Sequence, residues 1–316
     1  METTTKYDRD VIIVGGGPAG CAAAMVLARS RRRVLLMDDG NPRNKKSHGI
    51  HNYLTRDGIL PAEFARMTHE ELHNYNIELV KSRAIKAERG KADGFVITDA
   101  AGQRFTCRKL LLATGVTDII PDIPGMADMW GNGVYHCPFC DGWDLKGQVV
   151  GLYAKKFNGY GMSLALLQLA EKVILFTDTA KYLKPVQKEH LRSRGIAIVT
   201  KKVANLSCDK GKLTCVTLED GSSVACDSLF THNGIKYNNE LILQLGVRCN
   251  RNGATVINKR QECSVPGVYV AGDAAFDMQF VSVAAAEGVK AAVAIHNALM
   301  QEDNHTCLAA LHMAGQ

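Results

Sequence analysis

Two cysteines separated by two residues, Cys137 and Cys140, are the groups in this sequence best suited to chemistry. Such a pair can close a small disulfide or open to a dithiol, which is a two-electron exchange driven by thiolate attack. A zinc site would need four ligands, and the sequence has no second cysteine pair at this spacing. Inert buried thiols are the remaining alternative, since free cysteine often behaves as a small hydrophobic residue. The spacing therefore favours a redox-active dithiol, and we predict no metal.

A glycine-rich segment near the N-terminus indicates a dinucleotide. Gly15, Gly17 and Gly20 match G-x-G-x-x-G between an apolar stretch, 11–14, and a segment of helix-forming composition. In this pattern the first glycine makes a tight turn, the second lets the backbone approach a pyrophosphate, and the third allows close helix–strand packing. Asp38 ends the next apolar strand, where a carboxylate would bind a ribose hydroxyl. We therefore predict a dinucleotide site on this strand, turn and helix.

The remaining elements predict two α/β domains. The chain has 316 residues, of which 46% are hydrophobic and 22% charged, as in an ordinary globular protein. A second strand, loop, helix and strand begins at 149, and a long alanine-rich helix is expected from 281 to about 300. We predict an α/β fold with two Rossmann-like dinucleotide-binding-type domains, the second inserted in the first. The first domain comprises 1–118 and 247–316, and the inserted domain, 119–246, carries the cysteine pair.

Charge and cysteine usage argue against several classes of protein. The net charge of +6 includes one basic stretch, Arg29 to Lys46, which we interpret as a solvated turn between a helix and a strand. It does not predict nucleic-acid binding. We find no signal peptide and no apolar segment approaching the ~20 residues that span a bilayer. The other cysteines are scattered singly, which is typical of reduced thiols, so we expect a cytoplasmic protein without a membrane segment.

Three further motifs, taken with the cysteine pair, make the chain recognisable. Pro18-Ala19 lies inside the glycine fingerprint, Ala113-Thr114-Gly115 ends an apolar strand, and Tyr269-Val270-Ala271-Gly272-Asp273 forms another strand and turn. Together with Cys137-Pro138-Phe139-Cys140-Asp141, they resemble the low-molecular-weight thioredoxin reductase family over nearly the whole chain. The resemblance implies a homodimeric FAD enzyme, with FAD at Gly15, Gly17, Pro18, Ala19, Gly20, Asp38, Asn52, Ala84, Gly272, Asp273, Gln279, Phe280 and Val281.

The resemblance also implies roles at the cysteine pair. Cys137 would attack the disulfide of a thioredoxin-like protein or of a small molecule, and Cys140 would face the flavin. Asp141 would manage protons during the exchange. His136 is adjacent and could stabilise a thiolate or simply pack. Three more histidines could be flavin neighbours or proton carriers, or ordinary hydrogen-bonded residues, namely His48, His51 and His232.

One feature of the family is missing from the inserted domain. A nicotinamide-dependent member should carry a second glycine fingerprint, but Tyr153 and Lys155 stand where close-approach glycines are expected in 151–161. The strand end at 176–181 also lacks the arginine cluster that would bind a 2′-phosphate. We therefore predict an electron donor other than NADPH, such as ferredoxin or a reduced flavin carrier.

The direction of electron flow has two interpretations. The family's natural-product dithiol oxidases also carry C-P-aromatic-C, but with histidine after the second cysteine, whereas the reductases and this chain have an acid, Asp141. The sequence therefore predicts a disulfide reductase, with a flavin-dependent dithiol oxidase that passes electrons to oxygen as the alternative. A hypothesis of a different class is a non-catalytic flavin redox sensor or interaction module, because fold alone does not determine function.

Overall fold

The computed structural model describes residues 7–90, 94–155, 158–179, 181–231, 233–275 and 278–314. The chain folds into two compact units. The first comprises 1–43, 62–117 and 236–316, and the second comprises 44–61 and 118–235. The sequence-based boundaries lie instead at 118/119 and 246/247, and they assign the loop 44–61 to the first domain. The loop belongs to the second unit because its polar groups bond there, as Lys46 does to the carbonyl oxygen of Ala127 at 2.9 Å.

The strands and helices follow one another in the order expected of two α/β units. The strands are β1 (Arg9–Val14), β2 (Val34–Asp38), β3 (Ile77–Lys81), β4 (Ala84–Arg89), β5 (Phe95–Asp99), β6 (Arg104–Leu112), β7 (Val116–Asp118), β8 (Val134–Tyr135), β9 (Val149–Tyr153), β10 (Lys172–Phe176), β11 (Ala197–Val199), β12 (Val203–Asp209), β13 (Lys212–Leu218), β14 (Ser223–Ala225), β15 (Ser228–Thr231), β16 (Ile235–Tyr237) and β17 (Val268–Val270). The α-helices are α1 (Pro18–Arg29), α2 (Pro61–His73), α3 (Pro138–Asp141), α4 (Asn158–Leu166), α5 (Pro185–Ser193), α6 (Glu240–Gln244) and α7 (Val281–Ala314).

The first unit is built on a seven-stranded sheet in the order β3-β2-β1-β6-β5-β4, with β17 also paired to β6. Its strands β1, β2, β3, β6 and β17 pair in parallel, and β4 and β5 form an antiparallel edge. Val11, Ile12 and Ile13 are fully buried because both faces of β1 are covered. Val11 and Ile13 face a core shared with α1 and α7, and Ile12 faces a second core on the opposite side.

The long helix α7 packs against α1 through small residues. A Cβ on Gly288 would overlap the carbonyl oxygen of Ala19, so only glycine permits this close approach. The helix continues well beyond the predicted end near 300. Arg108 stabilises the first turn of this extension, because it lies 2.9 Å from the carboxylate of Glu302 and 2.8 Å from that of Asp303. These ion pairs hold a helical turn that hydrophobic patterning does not reveal.

The second unit contains a five-stranded parallel sheet in the order β11-β10-β9-β15-β8 and a three-stranded antiparallel sheet, β12-β13-β14. The helices α4 and α5 follow β9 and β10, as in a dinucleotide-binding unit. The short helix α3 and a 3₁₀ turn, Gly142–Leu145, connect β8 to β9 and carry the cysteine pair. Within the described residues, no helix is long and apolar enough to cross a bilayer.

Candidate flavin and dithiol sites

The glycine-rich turn joins β1 to α1 in the first unit. Gly15 has a φ of +107°, which favours glycine, and a Cβ there would overlap the carbonyl oxygen of Ala113. A Cβ on Gly20 would overlap the carbonyl oxygen of Gly15. A Cβ on Gly17 would meet no atom within 4 Å, so this position faces open space at the N-terminus of α1. The turn therefore fits a pyrophosphate, which can accept the free N–H groups of that helix end.

Asp38 lies at the C-terminal end of β2, beside this turn. One carboxylate oxygen accepts the N–H of Gly16 at 2.8 Å, and the other accepts the N–H of Gly40 at 3.0 Å. On the helix side, Pro18 and Ala19 open α1, where the missing N–H of proline costs nothing. A carboxylate oxygen has two lone-pair sites, so Asp38 can still accept the hydroxyls of a ribose.

In the first unit, the guanidinium group of Arg43 contacts both Asp273 and Gln279. A terminal nitrogen of Arg43 lies 3.0 Å from a carboxylate oxygen of Asp273 and donates to Gln279 Oε1 at 2.7 Å. The backbone N–H of Gly272 donates to the buried carboxylate of Glu287 at 2.7 Å. Sequence reasoning misses both partners, Arg43 and Glu287, because Arg43 lies in a basic stretch whose composition is typical of a solvated turn. An acid within an alanine-rich helix was the available signal for Glu287.

The other residues predicted to contact the flavin lie in two places. Ala84 begins β4, and Phe280 and Val281 lie at the start of α7, all in the first unit. Asn52 lies in the second unit, where its side-chain amide donates to the carbonyl oxygen of Phe139 at 2.8 Å. The structure thus gathers the predicted flavin residues in one unit, with Asn52 as the exception.

Cys137 and Cys140 form a disulfide in the second unit, with their Cα atoms 5.3 Å apart. Cys137 caps α3, because its Sγ accepts the backbone N–H of Cys140 at 3.1 Å. Pro138 occupies the first position of the helix, where its missing N–H would be unpaired anyway. Both cysteines are partly exposed, in contrast to Cys21, whose burial raises its thiol pKa to about 12. The bonded pair is therefore accessible to an attacking thiolate, as disulfide exchange requires.

Asp141 ends α3 and is buried. Burial raises the pKa of this carboxyl group to about 6. The nearby His48 and His51 act to lower this pKa, and the negative charge of Asp144 acts to raise it. A carboxylic acid that titrates near neutral pH can both donate and accept protons under working conditions. The arrangement therefore places a buried carboxyl group with a raised pKa directly after the second cysteine.

A histidine from the loop 44–61 reaches this acid. Nδ1 of His48 lies 3.9 Å from an oxygen of Asp141, and Nε2 lies 3.5 Å from an oxygen of Asp144. Sequence reasoning named His48 as a candidate proton carrier but did not pair it with Asp141. Such a pairing between distant segments leaves no local pattern in the sequence.

The other candidate histidines have different surroundings. Nδ1 of His51 lies 3.5 Å from the carboxylate of Asp57. The ring of His136 stacks on that of Trp130, with centroids 5.8 Å apart and nearly parallel planes. This stacking favours the packing role that the sequence left open for His136. His232 lies outside the described residues.

The crevice at the carboxyl ends of β9 and β10 is where a second dinucleotide would bind in this fold. Asp178 lies there, and one of its oxygens accepts from the Tyr153 hydroxyl at 2.8 Å and from the Lys155 ammonium at 2.7 Å. Its other oxygen accepts the backbone N–H of Val203 at 2.7 Å. Burial alone would raise the pKa of Asp178, but the three donors outweigh burial and lower it. The carboxylate is thus engaged by the chain's own groups.

Tyr182 occupies the same crevice. Its hydroxyl donates to the carbonyl oxygen of Ala154 at 2.9 Å and lies where a Cβ on Gly159 would be. Residues 156, 157 and 180 lie outside the described part of the chain. In the part that is described, this crevice holds the bonded side chains of Tyr153, Lys155 and Tyr182, whereas a Cβ on Gly161 in α4 would meet no atom within 4 Å, as at Gly17 in the first unit. The sequence indicates the missing glycines but not the hydrogen bonds that Tyr153 and Tyr182 form here.

Two dinucleotide-type units, one with an open glycine turn and one with a bonded cysteine pair, define a flavin-dependent disulfide oxidoreductase. The chain belongs to the pyridine nucleotide-disulphide oxidoreductase family, whose model matches residues 9–288. It is 31% identical over 278 residues to thioredoxin reductase tcpT of Claviceps purpurea, covering 84% of this chain and 86% of that relative.

Solved structures agree with this assignment. The crystal structure of HlmI matches with a TM-score of 0.93 at 30% identity and covers 98% of both chains. An oxidoreductase from Agrobacterium tumefaciens matches with a TM-score of 0.85 at 30% identity, covering 92% of this chain and 98% of that one. The predicted thioredoxin-reductase-type family, the α/β fold with two Rossmann-like domains, the oxidoreductase class and FAD as cofactor are confirmed.

Proposed function

We propose that this enzyme reduces a protein or small-molecule disulfide through Cys137 and Cys140, with electrons from a donor other than NADPH. The observation that carries the proposal is the bonded, partly exposed cysteine pair followed in the same helical turn by buried Asp141. Thiol–disulfide exchange needs a disulfide, an accessible sulfur atom and an acid that can gain and lose a proton near neutral pH.

In this proposal the first unit holds FAD. The turn at Gly15 and Gly17 leaves the N-terminus of α1 open to the pyrophosphate, and Asp38 accepts ribose hydroxyls. Arg43 offsets the negative charge of Asp273, which would otherwise repel a phosphate nearby. Bound FAD supplies a carrier that can accept and return two electrons.

The cysteine pair then exchanges electrons with the substrate. Opening the disulfide consumes two electrons and two protons and leaves two thiols. Cys137 attacks the substrate disulfide as a thiolate, releases one substrate thiol and forms a mixed disulfide. Cys140 attacks the sulfur of Cys137, releases the second substrate thiol and closes the pair again. Asp141 donates protons to the departing thiolates, because its pKa of about 6 allows both forms near neutral pH.

The side chains in the second crevice support a donor other than NADPH. Tyr153 and Lys155 engage Asp178, and a 2′-phosphate would meet that carboxylate instead of arginines. Ferredoxin or a reduced flavin carrier is the donor we propose. A thioredoxin-like protein or a small disulfide as substrate, homodimeric assembly and a cytoplasmic location belong to the same proposal, by analogy with the relatives that are named thioredoxin reductases.

Anaerobic stopped-flow mixing tests the donor. With NADPH we expect little fast loss of flavin absorbance in the oxidised enzyme, whereas rapid bleaching would contradict the donor proposal. Chemically reduced enzyme should then reduce 5,5′-dithiobis(2-nitrobenzoate) stoichiometrically. Failure of the reduced enzyme to reduce any disulfide would contradict the proposed activity itself.

A dithiol oxidase is the second candidate, and the position of His48 favours it. The family's oxidases carry a histidine directly after the second cysteine in sequence. In this chain His48 brings a histidine close to the same place in space, because its Nδ1 lies 3.9 Å from the carboxylate of Asp141. The net reaction would convert a dithiol and oxygen into a disulfide and hydrogen peroxide. Oxygen uptake with dithiothreitol distinguishes the candidates: rapid formation of one peroxide per disulfide supports the oxidase, and negligible peroxide supports the reductase.

A further inference from the structure

Three titratable side chains of the second unit form a row from the interior to the solvent. The side chain of Asp141, next to Cys140, is 10% exposed, that of His48 is 33% exposed, and that of Asp144 is 56% exposed. His48 lies between the two carboxylates, with Nδ1 3.9 Å from Asp141 and Nε2 3.5 Å from Asp144. Imidazole exchanges protons through both nitrogens, so the ring connects a buried acid to an exposed one.

The surroundings of His48 suit a proton-carrying ring. Nδ1 also lies 3.4 Å from the carbonyl oxygen of Gly131. Tyr135 meets the ring edge-on at 5.6 Å, and because burial raises its pKa, this phenol stays neutral. The ring of His51 is 5.6 Å away and is itself directed to Asp57. Oxygen atoms lie near both nitrogens of His48, so each N–H can donate when the ring is protonated.

We propose that His48 is a positioning residue that carries protons between Asp141 and solvent, by way of Asp144, whenever the Cys137–Cys140 disulfide opens or closes. This inference rests on the proposed function. When the disulfide opens to two thiols, two electrons and two protons are taken up, and Asp141 gives its proton to a nascent thiolate and becomes a carboxylate. The His48 imidazolium returns a proton to Asp141, and solvent reprotonates the imidazole through Asp144. When the pair closes again, the two thiol protons leave the sulfur atoms, either to the two departing substrate thiolates or back along the same route, so no proton is gained or lost over a cycle.

The distances set how the relay works. The 3.9 Å between His48 and Asp141 exceeds a hydrogen bond, so transfer needs one bridging water or a small rotation of the ring. Asp141 is buried and has little direct access to solvent. A relay therefore gives a physical reason for the loop 44–61 to bring a histidine to a helix that already carries an acid.

Anaerobic reduction of the FAD-loaded enzyme by dithiothreitol tests this relay, because a dithiol opens the disulfide without any external donor. For His48→Gln, which carries no titrating proton, we expect flavin bleaching about tenfold slower at pH 7 and an altered pH–rate limb near the Asp141 pKa of about 6. His48→Gly should regain most of its lost rate with added imidazole. His69→Gln, at an exposed position on α2, is the matched control and should keep the wild-type rate.

The outcomes separate this inference from the proposed function. A His48→Gln enzyme with the wild-type rate and pH profile would overturn the relay. A slow but folded His48→Gly enzyme that imidazole does not rescue would overturn it too, because a purely structural role predicts that result. Failure of the proposed function looks different: the unaltered enzyme would not bleach with dithiothreitol, or Cys140→Ser would bleach as fast as the unaltered enzyme.

Discussion

The side-chain amide of Asn52 donates a hydrogen bond of 2.8 Å to the carbonyl oxygen of Phe139, the residue that precedes Cys140 in the redox turn. Asn52 has a φ of +60°, a left-handed conformation that asparagine tolerates better than most residues. Its own N–H donates to Asp57 at 2.7 Å. The loop 44–61 is thereby tied to the cysteine turn, which gives Asn52 a role within the second unit besides the flavin contact that the sequence predicts.

Asn52→Asp should weaken that turn. The substitution removes the N–H donor but keeps a residue that tolerates the left-handed backbone, and its carboxylate repels the Phe139 carbonyl. A lost hydrogen bond is worth about 1 kcal/mol, so we expect roughly fivefold slower flavin bleaching by dithiothreitol. Asn52→Gly, which keeps the backbone without the donor, should show a similar loss. Wild-type rates in both variants would remove Asn52 from the dithiol mechanism.

Replacing either cysteine of the pair by serine should abolish turnover while FAD stays bound. Serine cannot form the disulfide, so neither Cys137→Ser nor Cys140→Ser can complete the exchange. Cys208→Ser is the matched control, because Cys208 is a free, exposed thiol on β12. Activity is measured by disulfide reduction and FAD content by absorbance. Full activity in either pair variant would contradict the central proposal.

The sequence reveals what is local in this molecule and misses what is assembled from distant segments. Gly15 and Asp38 are predicted because a strand, a turn and a strand leave a pattern with fixed spacing. The contact between His48 and Asp141 leaves no such pattern in the sequence, because the two residues are far apart along the chain and meet only when the loop folds back. Asp178 is an intermediate case: the missing glycines nearby are visible in the sequence, but its hydrogen bonds arise only when β9, β10 and β12 come together.

Asp141 should make stability fall as pH rises. An unfolded aspartate has a pKa of about 3.9, and burial raises that of Asp141 to about 6 in the folded protein. The folded state therefore binds the proton more tightly, and this contribution is present at low pH and lost as pH rises through about 6. Above that pH the buried charge costs about 3 kcal/mol.

Asp141→Asn removes that charge at nearly constant shape. We expect the variant to be more stable than the wild type at pH 8 and to match it near pH 4, although it loses redox activity. Urea unfolding at both pH values measures the difference. Asp128→Asn, at an exposed position, serves as the control and should change neither value. A stability difference that does not vary with pH would contradict the raised pKa.

Asp178→Ala should destabilise the second unit at neutral pH. The substitution leaves the donor groups of Tyr153, Lys155 and Val203 without their acceptor. We therefore expect the free energy of unfolding in urea to fall by about 2–3 kcal/mol. The pKa of Asp178 is lowered in the folded protein, so its contribution is fully present above about pH 4 and disappears as pH falls through the lower folded value. Asp178→Asn keeps an acceptor and should lose less. Equal losses of unfolding free energy in both variants would show that the negative charge of Asp178, and not its hydrogen bonds, stabilises the second unit.

Two glycines of the fingerprint should respond differently to alanine. A Cβ on Gly20 would overlap the carbonyl oxygen of Gly15, so Gly20→Ala should unfold the first unit or prevent its expression as a folded chain. A Cβ on Gly17 meets no atom, and the backbone there is extended, so Gly17→Ala should fold. It should nevertheless bind FAD at least tenfold more weakly, because the methyl group projects into the space that the pyrophosphate needs. Circular dichroism of the apoprotein reports folding, and FAD titration reports affinity. Unchanged FAD affinity in a folded Gly17→Ala variant would move the pyrophosphate away from this turn.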